Sequence, residues 1–215
     1  MNETIIKPMP RIGEQAPAFE AKTTHGTLTN KDFEGRWWIL FSHPSDFTPV
    51  CTSEFIAFQE IYPELKARNT DLIGLSVDSV SSHIAWVLNV KEKFGVELTF
   101  PIIADLDQKV ATDYGMLMPE GGTTEASRAV FIIDPNQTVR TIIYYPLSLG
   151  RNMQEILRAL DGLQTADEHM VSIPANWVKG DKVIVKPPKT QKEAEERAKD
   201  PRYECVDWYF CKKEI

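Results

Sequence analysis

Apolar residues fall in short blocks divided by turn-forming stretches, and the spacing inside each block separates strand from helix. The run Trp37-Trp38-Ile39-Leu40-Phe41 is unbroken, so Arg36 to Ser42 is expected as a strand buried on both faces. A periodic segment around Glu54 to Tyr62 predicts a helix from about Val50 to Ala67. Leu72 to Val77 reads as a second core strand. Ser79 to Phe94 reads as a helix that Ser79, Ser81 or Ser82 would cap. Phe100 to Ile103 is a short third strand, and Asp105 to Tyr114 a short helix stopped by Gly115. A Gly121-Gly122 loop follows. Two strands, Arg128 to Ile133 and Thr138 to Tyr145, flank the turn sequence Asp134-Pro135-Asn136-Gln137 and predict a hairpin. Met153 to Leu163 is a helix with Ile156, Leu157 and Leu160 on one face. Residues 10–36 form an opening segment with turns at Gly13, Gly26 and Gly35.

The order strand–helix–strand–helix–strand–helix–hairpin–helix predicts an α/β fold, a mixed sheet covered by helices. Composition changes near residue 165, which divides the chain into a main domain, 1–165, and an extension, 166–215. The extension holds Pro174, Pro187, Pro188 and Pro201, and a charged helix from about Lys189 to Lys199. It also holds Trp177, Tyr203, Trp208, Tyr209 and Phe210. A tail this aromatic is expected to pack on its own core or on a neighbouring subunit.

At 215 residues the chain has room for one good core plus the extension. A net charge of −7 argues against nonspecific nucleic-acid binding. No apolar run approaches the roughly 20 residues that span a bilayer. Met1-Asn2-Glu3-Thr4 lacks a basic-then-apolar leader pattern, so a cytoplasmic protein without membrane association is expected. The three cysteines, Cys51, Cys205 and Cys211, are too few and too scattered for a secreted disulfide framework. Zinc fits poorly, because His43 and Cys51 have no third ligand nearby in sequence. No phosphate-binding glycine loop occurs, and no cofactor is expected. His83, His169, Trp86, Met116 and Met118 read as packing residues.

The chemistry concentrates at Pro44-Ser45-Asp46-Phe47-Thr48-Pro49-Val50-Cys51. A lone cysteine stands where a buried strand ends and a helix begins. There, unpaired N–H groups and the positive end of the helix dipole favour an anion. A thiol so placed tends towards the thiolate, its reactive form. Pro44 and Pro49 stiffen the loop and limit water. Thr48, three residues earlier, can bring its hydroxyl to a substrate on the sulfur. His43 ends the strand, and Arg128 opens a separate apolar strand, where an arginine is out of place unless it has work to do.

Pro44-x3-Thr48-x2-Cys51 resembles the active-site signature of the peroxiredoxins, and Phe47 to Glu54 looks like its version in the one-cysteine-type class with a long C-terminus. The resemblance continues through Val110-Ala111, Tyr114 to Leu117 and Ser127 to Pro135, and covers nearly the whole chain. Archaeal thioredoxin peroxidases of that class look similar, because they too carry two tail cysteines.

The resemblance implies a thioredoxin-like fold and a thiol peroxidase for hydrogen peroxide and organic hydroperoxides, serving antioxidant defence and redox homeostasis. In it Cys51 is the nucleophile and becomes a sulfenic acid. Arg128 stabilises the thiolate and the leaving oxygen, and Thr48 hydrogen-bonds peroxide and thiolate. Pro44 shields the pocket, Arg151 is the second arginine, and Glu54 orients both. His43 matches a histidine that some members bring to the oxidised sulfur. Cys211 of a partner subunit would resolve the sulfenic acid, with Cys205 as accessory. A thioredoxin or glutaredoxin-like protein would supply electrons. The class forms homodimers through its tails, and the dimers assemble into decamers.

Three rivals are weaker. A disulfide oxidoreductase would want Cys-x-x-Cys, yet Thr48 and Glu54 flank Cys51 at those distances. A holdase would treat Cys51 as incidental. The phospholipase centre of some animal members needs a serine that Phe33 to Trp37 lacks, although His25 matches its histidine.

A free cysteine with a pKa of about 8.5 is only a few per cent thiolate near neutral pH. Lowering the value to about 6 gains roughly 30-fold, far below the ~10⁶-fold acceleration common in enzymes. Positioning and polarising the O–O bond must supply the rest.

Overall fold

The computed structural model describes residues 9–118, 124–197 and 199–215, which leaves the Gly121-Gly122 loop outside the described residues. Two compact units meet in sequence between Met153 and Gln154.

The first unit begins with a hairpin of β1 (Glu20–Thr23) and β2 (Gly26–Thr29) and a 3-10 turn over Asn30–Phe33. There follow β3 (Trp37–Ser42), α1 (Pro49–Ala67), β4 (Thr70–Ser76), α2 (Val80–Phe94) and β5 (Ile102–Ala104). α3 (Lys109–Asp113), β6 (Arg128–Ile133) and β7 (Val139–Tyr145) complete it. The strands form one mixed sheet in the order β2-β1-β5-β4-β3-β6-β7. β3 pairs parallel with β4 and antiparallel with β6, and every residue of β3 is buried.

Alternation along β3 and β6 feeds two layers of core. Trp38 and Leu40 join Ala129, Phe131 and Ile133 on one face, with Phe19, Phe33 and Tyr114 packed there. Phe41 turns to the other face, where its ring meets those of Phe55 and Phe58 on α1 and Phe100 before β5. Arg128 shares the face of Val130, whose register partner is Phe41, so the first residue of β6 lies on the α1 side. That placement carries the site.

Helix ends follow their capping chemistry. Ser79 caps α2 by accepting the Ser82 N–H, and Gly95 ends the helix in the left-handed region at φ 71°. α3 is shorter than the periodicity suggests. Gln108 adopts φ 57° at its N-cap, and the Asp105 carboxylate accepts the N–H groups of Val110 and Ala111 instead of joining the helix. The strand expected at Phe100 starts two residues later, beyond Pro101, which has no N–H to give a ladder. The β1–β2 hairpin turns at Gly26, φ 97°.

The second unit holds α4 (Met153–His169), which runs beyond the expected Leu163 end through a polar stretch. β8 (Val183–Ile184), α5 (Gln191–Arg197), β9 (Glu204–Asp207) and β10 (Phe210–Lys213) follow. The strands form an antiparallel sheet in the order β8-β10-β9. A small core gathers Val171, Trp177 and Val183 with Ile173. Cys205 and Cys211 face each other across the β9–β10 hairpin and are joined as a disulfide. Trp208 and Tyr209 stand exposed at its turn. Among the described residues, no helix is long and apolar enough to cross a membrane.

Candidate active site

Cys51 lies in the first turn of α1, after Thr48 at the N-cap and Pro49 at the first helical position. The proline's missing N–H costs nothing there. The amides of Val50 and Cys51 precede the helical ladder, so the first turn offers unpaired N–H groups and a partial positive charge. Phe47 takes left-handed backbone, φ 55°, and so turns the loop into the cap. The Thr48 hydroxyl donates to the Ser45 carbonyl at 2.9 Å, which leaves its oxygen lone pairs for a hydroxyl-bearing ligand. Pro44 is buried.

The Cys51 thiol is fully buried and is free. Arg128 Nη1 lies 3.3 Å from Cys51 Sγ and donates to Glu54 Oε2 at 2.8 Å. Arg128 Nε donates to the Leu147 carbonyl at 2.9 Å, which fixes the plane of the guanidinium. Glu54 sits one turn after Cys51 on the same helix. Its carboxylate also accepts Arg151 N, Nε and Nη2 at 2.9, 2.8 and 2.6 Å. Arg151 Nη1 donates to the carbonyls of Ser42 and Ala129, and the guanidinium lies over the rings of Phe41 and Phe58.

Burial pulls the Arg151 pKa down, and the charge and hydrogen bonds of Glu54 oppose it. Two guanidinium charges thus face one carboxylate in a dry site. A thiolate at Cys51 makes the buried group neutral, so the arrangement stabilises an anion at the sulfur and at an oxygen bound beside it.

His43, at the end of β3, is buried beside the loop. Its Nε2 is 3.0 Å from Asp46 Oδ1, and among the described residues its Nδ1 has no hydrogen-bond partner. Asp46 in turn meets His83 Nδ1 at 2.9 and 3.0 Å, and His83 Nε2 meets the Ile103 carbonyl at 3.1 Å. Burial alone would raise the Asp46 pKa, but the hydrogen bonds and charges of both histidines outweigh it and hold the carboxyl well below its ordinary range. Burial lowers the His43 pKa against the pull of Asp46. The sequence separates His83 from His43 and Asp46 and gives it only the look of a packing residue. The fold supplies the neighbours that sequence spacing denies His43, and ligand atoms of the three residues lie within 4.8 Å of one another. Asp46 meets each histidine by a direct hydrogen bond.

The structure therefore brings together Cys51, Glu54, Arg128 and Arg151 at the start of α1, with Thr48 and Pro44 in the loop that enters it. Among the described residues no hydrogen bond joins His43 to Cys51. Cys205 and Cys211 belong to the other unit and are bonded to each other, so neither is a free thiol in this state.

A free, buried thiol at a helix start, held against a buried arginine in a mixed α/β fold, has the layout of a thiol-dependent oxidoreductase site. Comparison with known proteins resolves the class further. Residues 12–142 match the AhpC/TSA family, and residues 162–200 match the C-terminal domain of 1-Cys peroxiredoxin. A peroxiredoxin of Aquifex aeolicus is 54% identical over 96% of this chain and 98% of its own. One from Archaeoglobus fulgidus is 50% identical over 96% and 99%. The solved structure of the yeast mitochondrial 1-Cys peroxiredoxin superposes with a TM-score of 0.86 at 40% identity, covering 96% of this chain and all of that one. A peroxiredoxin 6 of Arenicola marina gives 0.86 at 36%, over 95% and 97%. The chain belongs to the peroxiredoxins, with the thioredoxin-like fold and the 1-Cys-type C-terminal domain, and is a peroxide-reducing thiol oxidoreductase whose peroxidatic residue is Cys51.

Proposed function

We propose that the protein reduces hydrogen peroxide and organic hydroperoxides in a cycle that begins at Cys51 and is closed by the cysteines of its own tail. The observation that carries this reading is the 3.3 Å contact between Arg128 Nη1 and the buried Cys51 sulfur. The thiolate attacks the terminal peroxide oxygen, the O–O bond breaks, and the departing alkoxide or hydroxide takes a proton. Cys51 becomes a sulfenic acid. Thr48 accepts the peroxide hydroxyl, and Arg128 and the first-turn amides hold the developing negative charge. Glu54 and Arg151 keep Arg128 in place, and Pro44 limits water. An apolar groove of about 450 Å³ beside Thr48, lined in part by Phe47, Pro49, Trp86 and Phe94, suits an organic substituent on the peroxide.

The Cys211 thiol of a partner subunit then attacks the sulfenic sulfur, releasing water and leaving a Cys51–Cys211 disulfide. Cys205 faces Cys211 across the hairpin. In this reading Cys205 then displaces Cys51 from that bond, restoring the peroxidatic thiol and leaving the Cys205–Cys211 pair oxidised. A thioredoxin or glutaredoxin-like donor reduces that pair. This scheme casts residues 166–215 as a dimerisation arm on a catalytic domain of residues 1–165, in a cytoplasmic antioxidant enzyme built as a decamer of five dimers.

The test starts from fully reduced protein and mild peroxide, followed on non-reducing gels. Wild type should form a transient cross-linked dimer, Cys205→Ser should accumulate it, and Cys211→Ser should not form it. A dimer that persists in Cys211→Ser overturns the resolving step.

A further inference from the structure

His83 carries no role in the scheme above, yet it is fully buried and engaged at both ring nitrogens. Its Nε2 faces the Ile103 carbonyl, which can only accept. Its Nδ1 faces both oxygens of Asp46. Both ring nitrogens of His83 thus face oxygen acceptors, Nε2 the carbonyl and Nδ1 the Asp46 carboxylate, so the ring is set as a donor toward Asp46. A buried charge persists when it is hydrogen-bonded, as the Asp46 carboxylate is.

The consequence falls on His43. Asp46, held ionised, can only accept, so the hydrogen of His43 must lie on Nε2. Nδ1 is then left as a bare lone pair, which matches its lack of any partner. A second proton on Nδ1 would bury an N–H with no acceptor beside the rings of Phe55 and Trp86. The same carboxylate residue anchors the peroxidatic loop, because its own N–H donates to Asp78, which also takes the Ser76 hydroxyl. Asp46 lies between Pro44 and Thr48, so what holds Asp46 holds the segment that delivers Thr48 and Cys51.

We propose that His83 is a positioning residue of the peroxidase site: acting through Asp46, it fixes His43 as the Nε2–H tautomer with a bare Nδ1 and holds the loop that carries Thr48 and Cys51. This rests on the peroxidase reading of Cys51, but it makes its own claim about a reduced, peroxide-free protein.

The experiment records the ring nitrogens of reduced, full-length protein by long-range ¹H–¹⁵N NMR, in wild type, His83→Asn, His83→Leu and Asp46→Asn. Peroxide oxidation of Cys51 is timed in the same proteins. Asn at this position can place an N–H near the Nδ1 site; Leu cannot. Wild type should show His43 protonated on Nε2 alone and His83 protonated on Nδ1. His83→Asn should keep the His43 tautomer and a rate near wild type. His83→Leu should scramble the tautomer and slow Cys51 oxidation by about tenfold or more, in line with the cost of a displaced reacting group. A wild-type His43 protonated on Nδ1, or a His83→Leu protein with unchanged tautomer and rate, overturns the proposal. If His83→Leu fails to fold, the wild-type spectrum and the His83→Asn and Asp46→Asn proteins still decide it. Loss of peroxidase activity with an intact wild-type tautomer pattern would instead count against the peroxidase reading alone.

Discussion

Cys51 and Glu54 stand one turn apart on α1, and a single nitrogen, Arg128 Nη1, reaches both: 3.3 Å to the sulfur and 2.8 Å to the carboxylate. The carboxylate thereby sets where the arginine's positive charge meets the sulfur. A second arginine, Arg151, closes on the same carboxylate from its other side. The reactive sulfur is governed by a buried ion cluster whose members come from α1, β6 and the segment before α4.

Glu54→Gln should therefore do more than remove a charge. It leaves two buried guanidinium groups facing one neutral amide, and breaking such a buried pair costs on the order of 3 kcal/mol. Chemical denaturation should show a loss of about that size, together with slower oxidation of Cys51. Unchanged stability would mean that the cluster is not organised by Glu54.

Arg128→Ala tests the division of labour at the sulfur. Thiolate formation alone is worth roughly 30-fold at most, so the rate of Cys51 oxidation should fall further than the thiolate fraction does. Thiolate absorbance against pH, measured beside stopped-flow oxidation, separates the two. Equal losses would assign Arg128 to the pKa alone. Arg128→Lys should not restore the rate, because a single ammonium cannot hold Leu147, Glu54 and the sulfur together.

Thr48→Ser keeps the hydroxyl, and Thr48→Val keeps the shape. The serine variant should oxidise at a rate close to wild type, while the valine variant should lose about 10²-fold, the scale of one lost transition-state hydrogen bond. Equal rates in the two variants would remove Thr48 from the reaction.

Much of this site is legible in the chain because it is local. Pro44, Thr48, Cys51 and Glu54 lie within one strand–loop–helix segment, and Arg128 stands out as a charge at the head of an apolar strand. Arg151 is different. Its neighbourhood, Leu149-Gly150-Arg151, has no periodicity of its own, and only family resemblance singles it out. His83 and Asp46 are invisible to pattern because α2 and the loop meet only when β3 and β4 pair side by side. The mixed sheet covered by helices follows from the alternation of strands and helices. The β1–β2 hairpin and the β8-β10-β9 sheet do not, since strands such as Glu20–Thr23 and Glu204–Asp207 are short, polar and largely exposed.

Acid should weaken the fold in two stages. Both His43 and Asp46 have folded pKa values below their unfolded ones. A depressed value means stability that is present above the unfolded pKa and lost as pH falls through the folded one. The His43 contribution is lost as pH falls below about 6.5, and the Asp46 contribution as it falls below about 3.9. Denaturation midpoints measured from pH 8 to pH 3 should decline over both windows in wild type. His43→Gln should abolish the upper decline, and its survival there would point to another group.

The most direct test of the central claim uses a protein in which Cys51 is the sole cysteine, Cys205→Ser/Cys211→Ser. The reduced protein is mixed with one equivalent of hydrogen peroxide, quenched at short times with a sulfenic-acid trap and weighed intact. The account predicts one trapped sulfenic acid on Cys51, formed orders of magnitude faster than on a free cysteine and abolished in Cys51→Ser. A Cys51 that stays reduced, or reacts no faster than a free thiol, would contradict it.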